Sequence, residues 1–129
     1  MKDANITKLI IGGAMKVHST LGPGFLESVY QSALAHELRK AALRICCEVP
    51  LQVEYDGIVV GEFVADMIVG GRILVENKAI QNTLPVHEVQ VVNYLTATGL
   101  DIGLLLNFGG DRLQFKRKTR IYSPPGKGN

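Results

Sequence analysis

Asp66-Met67-Ile68-Val69-Gly70-Gly71-Arg72-Ile73-Leu74-Val75-Glu76-Asn77-Lys78 is the stretch on which the fold reading turns. The apolar runs on either side of Gly70-Gly71 read as two strands joined by a tight turn. An acid interrupts the first strand, and an acid and a lysine stand two positions apart on the second. Alternate residues of a strand share a face, so Glu76 and Lys78 point the same way. Ionisable groups within apolar strands are costly to bury unless they bind something. Carboxylates facing a lysine can hold a hard cation with a water beside it.

The register of this hairpin decides whether the acids meet. If Gly70 and Gly71 alone form the loop, Asp66 lies opposite Val75, and Asp66 and Glu76 face opposite sides of the sheet. A three-residue loop or a bulge lets Asp66 pair with Glu76 or Leu74, and both acids then share a face. Gly-Gly favours the offset loop, because one of its residues needs positive φ. A cation site therefore requires an odd-length loop or a bulge. The alternative is a surface hairpin with scattered charges.

Upstream, Ile6, Leu9, Ile10, Ala14 and Val17 recur at helical spacing and predict a helix over about 4–19. Leu21-Gly22-Pro23-Gly24 stops it. Leu26, Val29, Tyr30, Ala33, Leu34, Leu38 and Ala41 predict a second helix over about 25–43, with Glu27 in its first turn. Alternating Ile45, Cys47, Val49, Leu51 and Val53 predict a strand, which Pro50 makes an edge or bulged one. A turn at Tyr55-Asp56-Gly57 leads into the quoted hairpin. Downstream, Pro85 suits a helix start, and the helix carries Gln90 and Tyr94 one turn apart. The apolar run Ile102 to Phe108 predicts a strand buried on both faces. A last strand from Arg112 to Tyr122 has a basic outer face. The order α-α-β-β-β-α-β-β predicts an α/β fold with a mixed sheet of about five strands flanked by helices. One domain is expected over residues 1–122, with a flexible tail over 123–129.

At 129 residues and 47% hydrophobic content, the chain can bury a core without disulfides or structural metal. Its apolar runs are too short to span a membrane and no secretory segment opens it, so a cytoplasmic location is expected. Adjacent Cys46 and Cys47 favour neither a disulfide nor a shared metal; one buried and one half-buried thiol is the expectation. The net charge is only +2, but Lys116, Arg117, Lys118 and Arg120 lie in an acid-free stretch beginning at Arg112. They suit a phosphate backbone, or equally a solvated edge strand protected from aggregation. His18 suits a helix end or the core, His36 a surface, and His87 the rim of a cleft.

Gly24-Phe25-Leu26-Glu27-Ser28-Val29-Tyr30 resembles the signature of the GxxExxY protein family. Asp66, Glu76-Asn77-Lys78, Gln90-Val91-Val92-Asn93-Tyr94 and Gly103 to Gly109 follow in the matching order, so the resemblance runs from about Ile6 to Arg120. That family is placed in the PD-(D/E)XK nuclease-like superfamily, and the resemblance implies a restriction-endonuclease-like core. It implies that Asp66, Glu76 and Lys78 are the acid and the E-x-K of the superfamily motif. Glu27 matches a helix-borne acid, and Gln90 and Tyr94 match a Q-x-x-x-Y helix. The implied chemistry is hydrolysis of phosphodiester bonds with Mg²⁺ or Mn²⁺. Asp66, Glu76, Glu27 and the Asn77 carbonyl are the implied ligands, and Lys78 is implied to position the attacking water. The implied partner is nucleic acid, DNA ahead of RNA. The chain is close to a bare core with little surface to wrap DNA, which favours a homodimer. A binding or assembly module that keeps the fold without turnover, and a small-molecule enzyme on the same site, are the competing readings, and fold alone cannot choose between them.

Overall fold

Two strands, β3 (Ile73–Lys78) and β4 (Ile102–Asn107), form the floor of the molecule and are buried on both faces along almost their whole length. They pair in parallel, Glu76 opposite Leu105 and Lys78 opposite Asn107. A parallel pair needs a crossover, and the helix Pro85–Thr98 supplies it. The computed structural model describes residues 2–120, so the tail expected over 123–129 and the end of the last strand at Tyr122 lie outside the described residues.

The elements run α1 (Asp3–Leu21), α2 (Glu27–Lys40), β1 (Ile45–Tyr55), β2 (Ile58–Val69), β3, α3 (Pro85–Thr98), β4 and β5 (Gln114–Thr119). The sheet order is β1-β2-β3-β4-β5, antiparallel except for β3 against β4. This is a mixed five-stranded sheet with helices on both faces, the restriction-endonuclease-like arrangement. The expected element order holds, and Pro50 does lie on an edge strand. The second helix is shorter than periodicity implies: it starts at Glu27 and gives way after Lys40, where Ala42 takes positive φ.

Apolar periodicity sorts the core into two layers. Ile6, Ile10, Ala14 and Val17 of α1 and Tyr30, Leu34 and Leu38 of α2 pack on Met67, Ile73, Val75, Leu104 and Leu106. On the opposite face, Val91, Tyr94 and Leu95 of α3 pack on Ala65, Leu74 and Leu105. Glu37 of α2 bridges Lys16 of α1 at 2.8 Å and its own helix's Lys40 at 2.6 Å, and these cations pull its carboxyl down to about 2.

One sequence expectation needs correction. Cys46 and Cys47 are both exposed rather than one being buried, because β1 is an edge strand with little packed against it there. His87 caps the start of α3, its Nδ1 accepting the Leu84 N–H at 2.9 Å. His18 is buried, as a core residue, and donates from Nε2 to the Gly110 carbonyl at 2.8 Å. No helix of the described residues is long and apolar enough to cross a membrane.

Asn107 ties the floor to the segment that follows β3. Its buried Oδ1 accepts the Ile80 N–H at 3.0 Å and the Gly109 N–H at 3.1 Å. The loops then approach so closely that a Cβ on Gly109 would collide with the Ile80 backbone, whereas one on exposed, helical Gly12 would meet nothing. Gly109→Ala is therefore expected to destabilise the protein by ~2 kcal/mol or more. Gly12→Ala is expected to stabilise it by about 0.5–1 kcal/mol. Urea unfolding of the two variants beside wild type checks the opposite signs.

Candidate active site

The β2–β3 hairpin has the offset loop. Val69 pairs with Ile73, so Gly70, Gly71 and Arg72 form a three-residue connection, and both glycines take positive φ. Continuing that register from Met67 opposite Val75 brings Asp66 to the level of Glu76. The recorded ladder stops at Met67 and Val75, and side chains take over from backbone beyond it. The Asn77 N–H donates to Asp66 Oδ2 at 2.7 Å, and the Asp66 N–H donates to Glu76 Oε1 at 3.2 Å. The two acids thus occupy the gap where the strands part.

Strand β2 turns over at the same point. Ala65 packs in the α3 layer, but Met67, two residues on, packs in the α1–α2 layer. In a regular strand these two would share a face. The neighbouring edge strand does the same: Ile45 packs on one layer, Val49 and Leu51 on the other, and Glu48 between them has φ of 53°. Such a local irregularity re-aims a side chain, here the Asp66 carboxylate.

Burial makes the site electrostatically tense. Glu76 is only 5% exposed. Desolvation, and then the negative charge of Asp66, push its carboxyl up to about 8. Asp66 is also raised, first by burial and further by Glu48; the Asn77 N–H, a hydrogen bond with Glu76 and the Lys78 charge oppose the shift. Two carboxylates in hydrogen-bond contact cannot both ionise cheaply, so the pair retains a proton well above the usual carboxylate range.

Other elements bring further groups to this pair. Lys78, half-buried at the end of β3, lies on the Glu76 face and draws down the carboxyls of Glu27, Asp66 and Glu76. Glu27, in the first turn of α2, is raised by burial and by the Asp66 charge. Tyr94 of α3 is raised by burial and then by Glu76 and Asp66, and its hydroxyl accepts from Gln90 Nε2 at 3.1 Å. Glu27, Asp66, Glu76, Lys78, Gln90 and Tyr94 therefore converge from α2, β2, β3 and α3. Asn77 converges by backbone only: its side chain turns into the opposite layer, where Nδ2 donates to Met67 Sδ at 3.4 Å and Oδ1 is buried without a partner.

Two residues of the site escaped the sequence reading. Gln31 donates to Glu48 Oε1 at 2.9 Å and to the Asp66 carbonyl at 3.4 Å, and Glu48 adds its charge to those acting on Glu27 and Asp66. Gln31 follows Glu27 by one helical turn, so its shared face was visible in the spacing. Glu48 was not. Counting back from the Tyr55-to-Ile58 end of the hairpin places Cys47 beside Asp66, and only the register shift between Val53 and Glu54 puts Glu48 there.

The donor set fits a hard divalent cation. Its acids offer oxygen ligands, and a cation between Asp66 and Glu76 would relieve the like-charge conflict that now holds a proton there. Among the described residues no three His, Cys, Asp or Glu groups close on one point, so Glu27 and Glu48 stand back from the central pair.

The basic residues of β5 lie two strands away. Lys116 pairs with Leu105, which pairs with Glu76, so Lys116 and Glu76 share a row and a face, about 10 Å apart by strand spacing. Lys118 is engaged by Glu88 of α3 at 3.1 Å and Arg120 by Asp101 at 2.8 Å. Lys116 and Arg117 are exposed.

Comparison with known proteins bears on the family and the fold. A family model described as the PD-(D/E)XK nuclease superfamily matches residues 4–119. Among solved structures, the chain is similar to the crystal structure of SSO0001, with 20% sequence identity and a TM-score of 0.61 over 75% of this chain and 52% of that one. The chain thus spans about half the length of that structure, and at this identity the likeness concerns the fold. No curated protein matches in sequence.

A carboxyl raised above its unfolded value binds protons in the folded state that the unfolded chain has released. The metal-free protein is therefore expected to lose stability as pH rises from about 4.5 towards 8. Glu76→Gln, which keeps an oxygen acceptor for the Asp66 N–H, is expected to be more stable than wild type by about 1–3 kcal/mol at pH 8, with the gap closing near pH 4.5. Thermal unfolding in chelator across that range measures it.

Proposed function

This chain belongs to the PD-(D/E)XK nuclease superfamily, and we propose that it hydrolyses phosphodiester bonds of nucleic acid with the help of Mg²⁺ or Mn²⁺. The observation that carries the proposal is the meeting of Asp66 and Glu76 where the β2–β3 ladder opens, with Lys78 on the Glu76 face. The narrower kinship, with proteins bearing the GxxExxY signature, rests on the motif Gly24 to Tyr30.

Asp66 and Glu76 would hold the cation, with the Asn77 carbonyl as a further oxygen donor and Glu27 reaching it from the α2 side, directly or through water. The bound ion supplies Lewis-acid stabilisation of the charge that builds on the phosphate in the transition state. Lys78 orients the attacking water and offsets phosphate charge. Tyr94, fixed by Gln90 and held against Phe63 with ring centroids 4.7 Å apart, bounds the site on the α3 side. Lys116, in the row of Glu76, contacts the backbone beyond the scissile phosphate, while Arg117 is exposed on the opposite face of this edge strand and serves it only from the sheet edge. Lys118 and Arg120 contribute less, since each already has an acid partner. DNA is the proposed substrate ahead of RNA, in the cytoplasm, and pairing of two copies would widen the small surface available to it.

The test is cleavage of single- and double-stranded DNA and RNA with Mg²⁺ or Mn²⁺. Wild type is expected to cut, chelator to abolish cutting, and Lys78→Ala and Asp66→Ala each to lower the rate at least ~100-fold. Equal cleavage by wild type and both variants would mean a contaminating enzyme and sink the assignment. Salt-sensitive binding without any cleavage would instead make the chain a binding module.

A further inference from the structure

Tyr30 closes the Gly24–Tyr30 motif but is not one of the groups that shift the carboxyls of Asp66 and Glu76. It is fully buried, and its hydroxyl is spent on the loop before α2. The hydroxyl donates to the Gly22 carbonyl and accepts the Phe25 N–H at 3.1 Å. The ends of that loop are also tied, the Gly22 N–H donating to the His18 carbonyl at 2.8 Å and the Val29 N–H to the Leu26 carbonyl at 3.0 Å, but the turn between them is fixed by the hydroxyl. Gly22 and Gly24 take φ of 69° and 111°, and the residue that opens α2, Leu26, offers no side-chain cap. Glu27 follows directly.

The ring of Tyr30 is anchored in turn. It stacks on Phe108 with centroids 4.8 Å apart and planes 9° from parallel, and Phe25 meets its edge at 6.2 Å. The Phe108 N–H donates to the Lys78 carbonyl at 2.8 Å. One side chain thus connects the loop that delivers Glu27 to the backbone that carries Lys78.

We propose that Tyr30 is a positioning residue that holds the Gly22–Leu26 loop through its hydroxyl, and so holds Glu27 at its working distance from Lys78 and Asp66. The loop clamp stands on the geometry alone, and the link to Glu27's work rests on the functional reading above. The motif then has a physical logic: Gly24 permits the left-handed turn, Glu27 enters the site, and Tyr30 locks the turn that aims it.

Tyr30→Phe removes the hydroxyl and keeps the stack. In the metal-free protein, exchange of the Phe25 amide is expected to quicken at least ~10-fold, with amides of β4 unchanged, since one protecting hydrogen bond is lost while the core persists. Unchanged Phe25 exchange overturns the clamp whether or not the protein cuts nucleic acid. The second measurement compares Tyr30→Phe, Glu27→Gln and the double variant for Mn²⁺ affinity by calorimetry and for kcat and KM. Each single variant is expected to weaken Mn²⁺ binding or kcat with KM little changed, and the double to be no worse than Glu27→Gln, because Tyr30 acts through Glu27. Additive losses overturn the positioning role and leave a structural one. Gly24→Ala, which strains the loop without touching the core, is expected to reproduce the Tyr30→Phe split, and a wild-type profile from it counts against the proposal. A wild type that neither binds Mn²⁺ nor cuts overturns the functional reading and the link to Glu27, while Phe25 exchange still decides the clamp.

Discussion

Where β2 and β3 part, a carboxylate accepts the backbone N–H that a ladder carbonyl would otherwise take. Asp66 Oδ2 receives the Asn77 N–H, and Glu76 Oε1 receives the Asp66 N–H. Backbone donors buried in a sheet must be paired, so the strands can separate only because the two acids supply acceptors. The same exchange brings the acids into contact in a dry place and raises both. Fold stability and site chemistry are therefore opposed here. The protein keeps two carboxyls in contact by retaining a proton, an arrangement that a bound cation would relieve.

The remaining architecture holds that opening in place. The parallel β3–β4 pair is buried on both faces and fixes Glu76 and Lys78 on rigid backbone. The layer of α1 and α2 covers one face and delivers Glu27 and Gln31; α3 covers the other and delivers Gln90 and Tyr94. Asn107 and Phe108, at the end of β4, bind the backbone of Ile80 and Lys78. Groups from four elements thus converge on one opening in the sheet.

Much of this was legible beforehand because it is periodic or local. Helical spacing in α1, the apolar run of β4 and the Pro85 helix start need no long-range information. The acid and the E-x-K of the hairpin were visible as charges that apolar strands should not contain. The Gly-Gly pair marked the turn, since positive φ comes readily to glycine, but a two-residue turn would use the same φ values, and the offset that aligns Asp66 with Glu76 is seen only in the pairing. The exposure of Cys46 and Cys47 was misread because alternation says which residues share a face, not whether anything covers that face.

By itself the sequence determined the order of elements, the residue types of the site and the position of the Gly-Gly turn, all consequences of chemistry within a few residues of each position. Only tertiary structure decided where the acids point. The entry of Glu48 depends on a register shift five to six residues away along the hairpin, and the turnover of β2 at Asp66 is matched by the irregularity at Glu48 on the neighbouring strand. The depth of burial that raises Glu76 depends on layers supplied by the two N-terminal helices and by α3, far from it in sequence. Strand pairing and desolvation are properties of neighbours in space, and no local pattern around Asp66 and Glu76 encodes them.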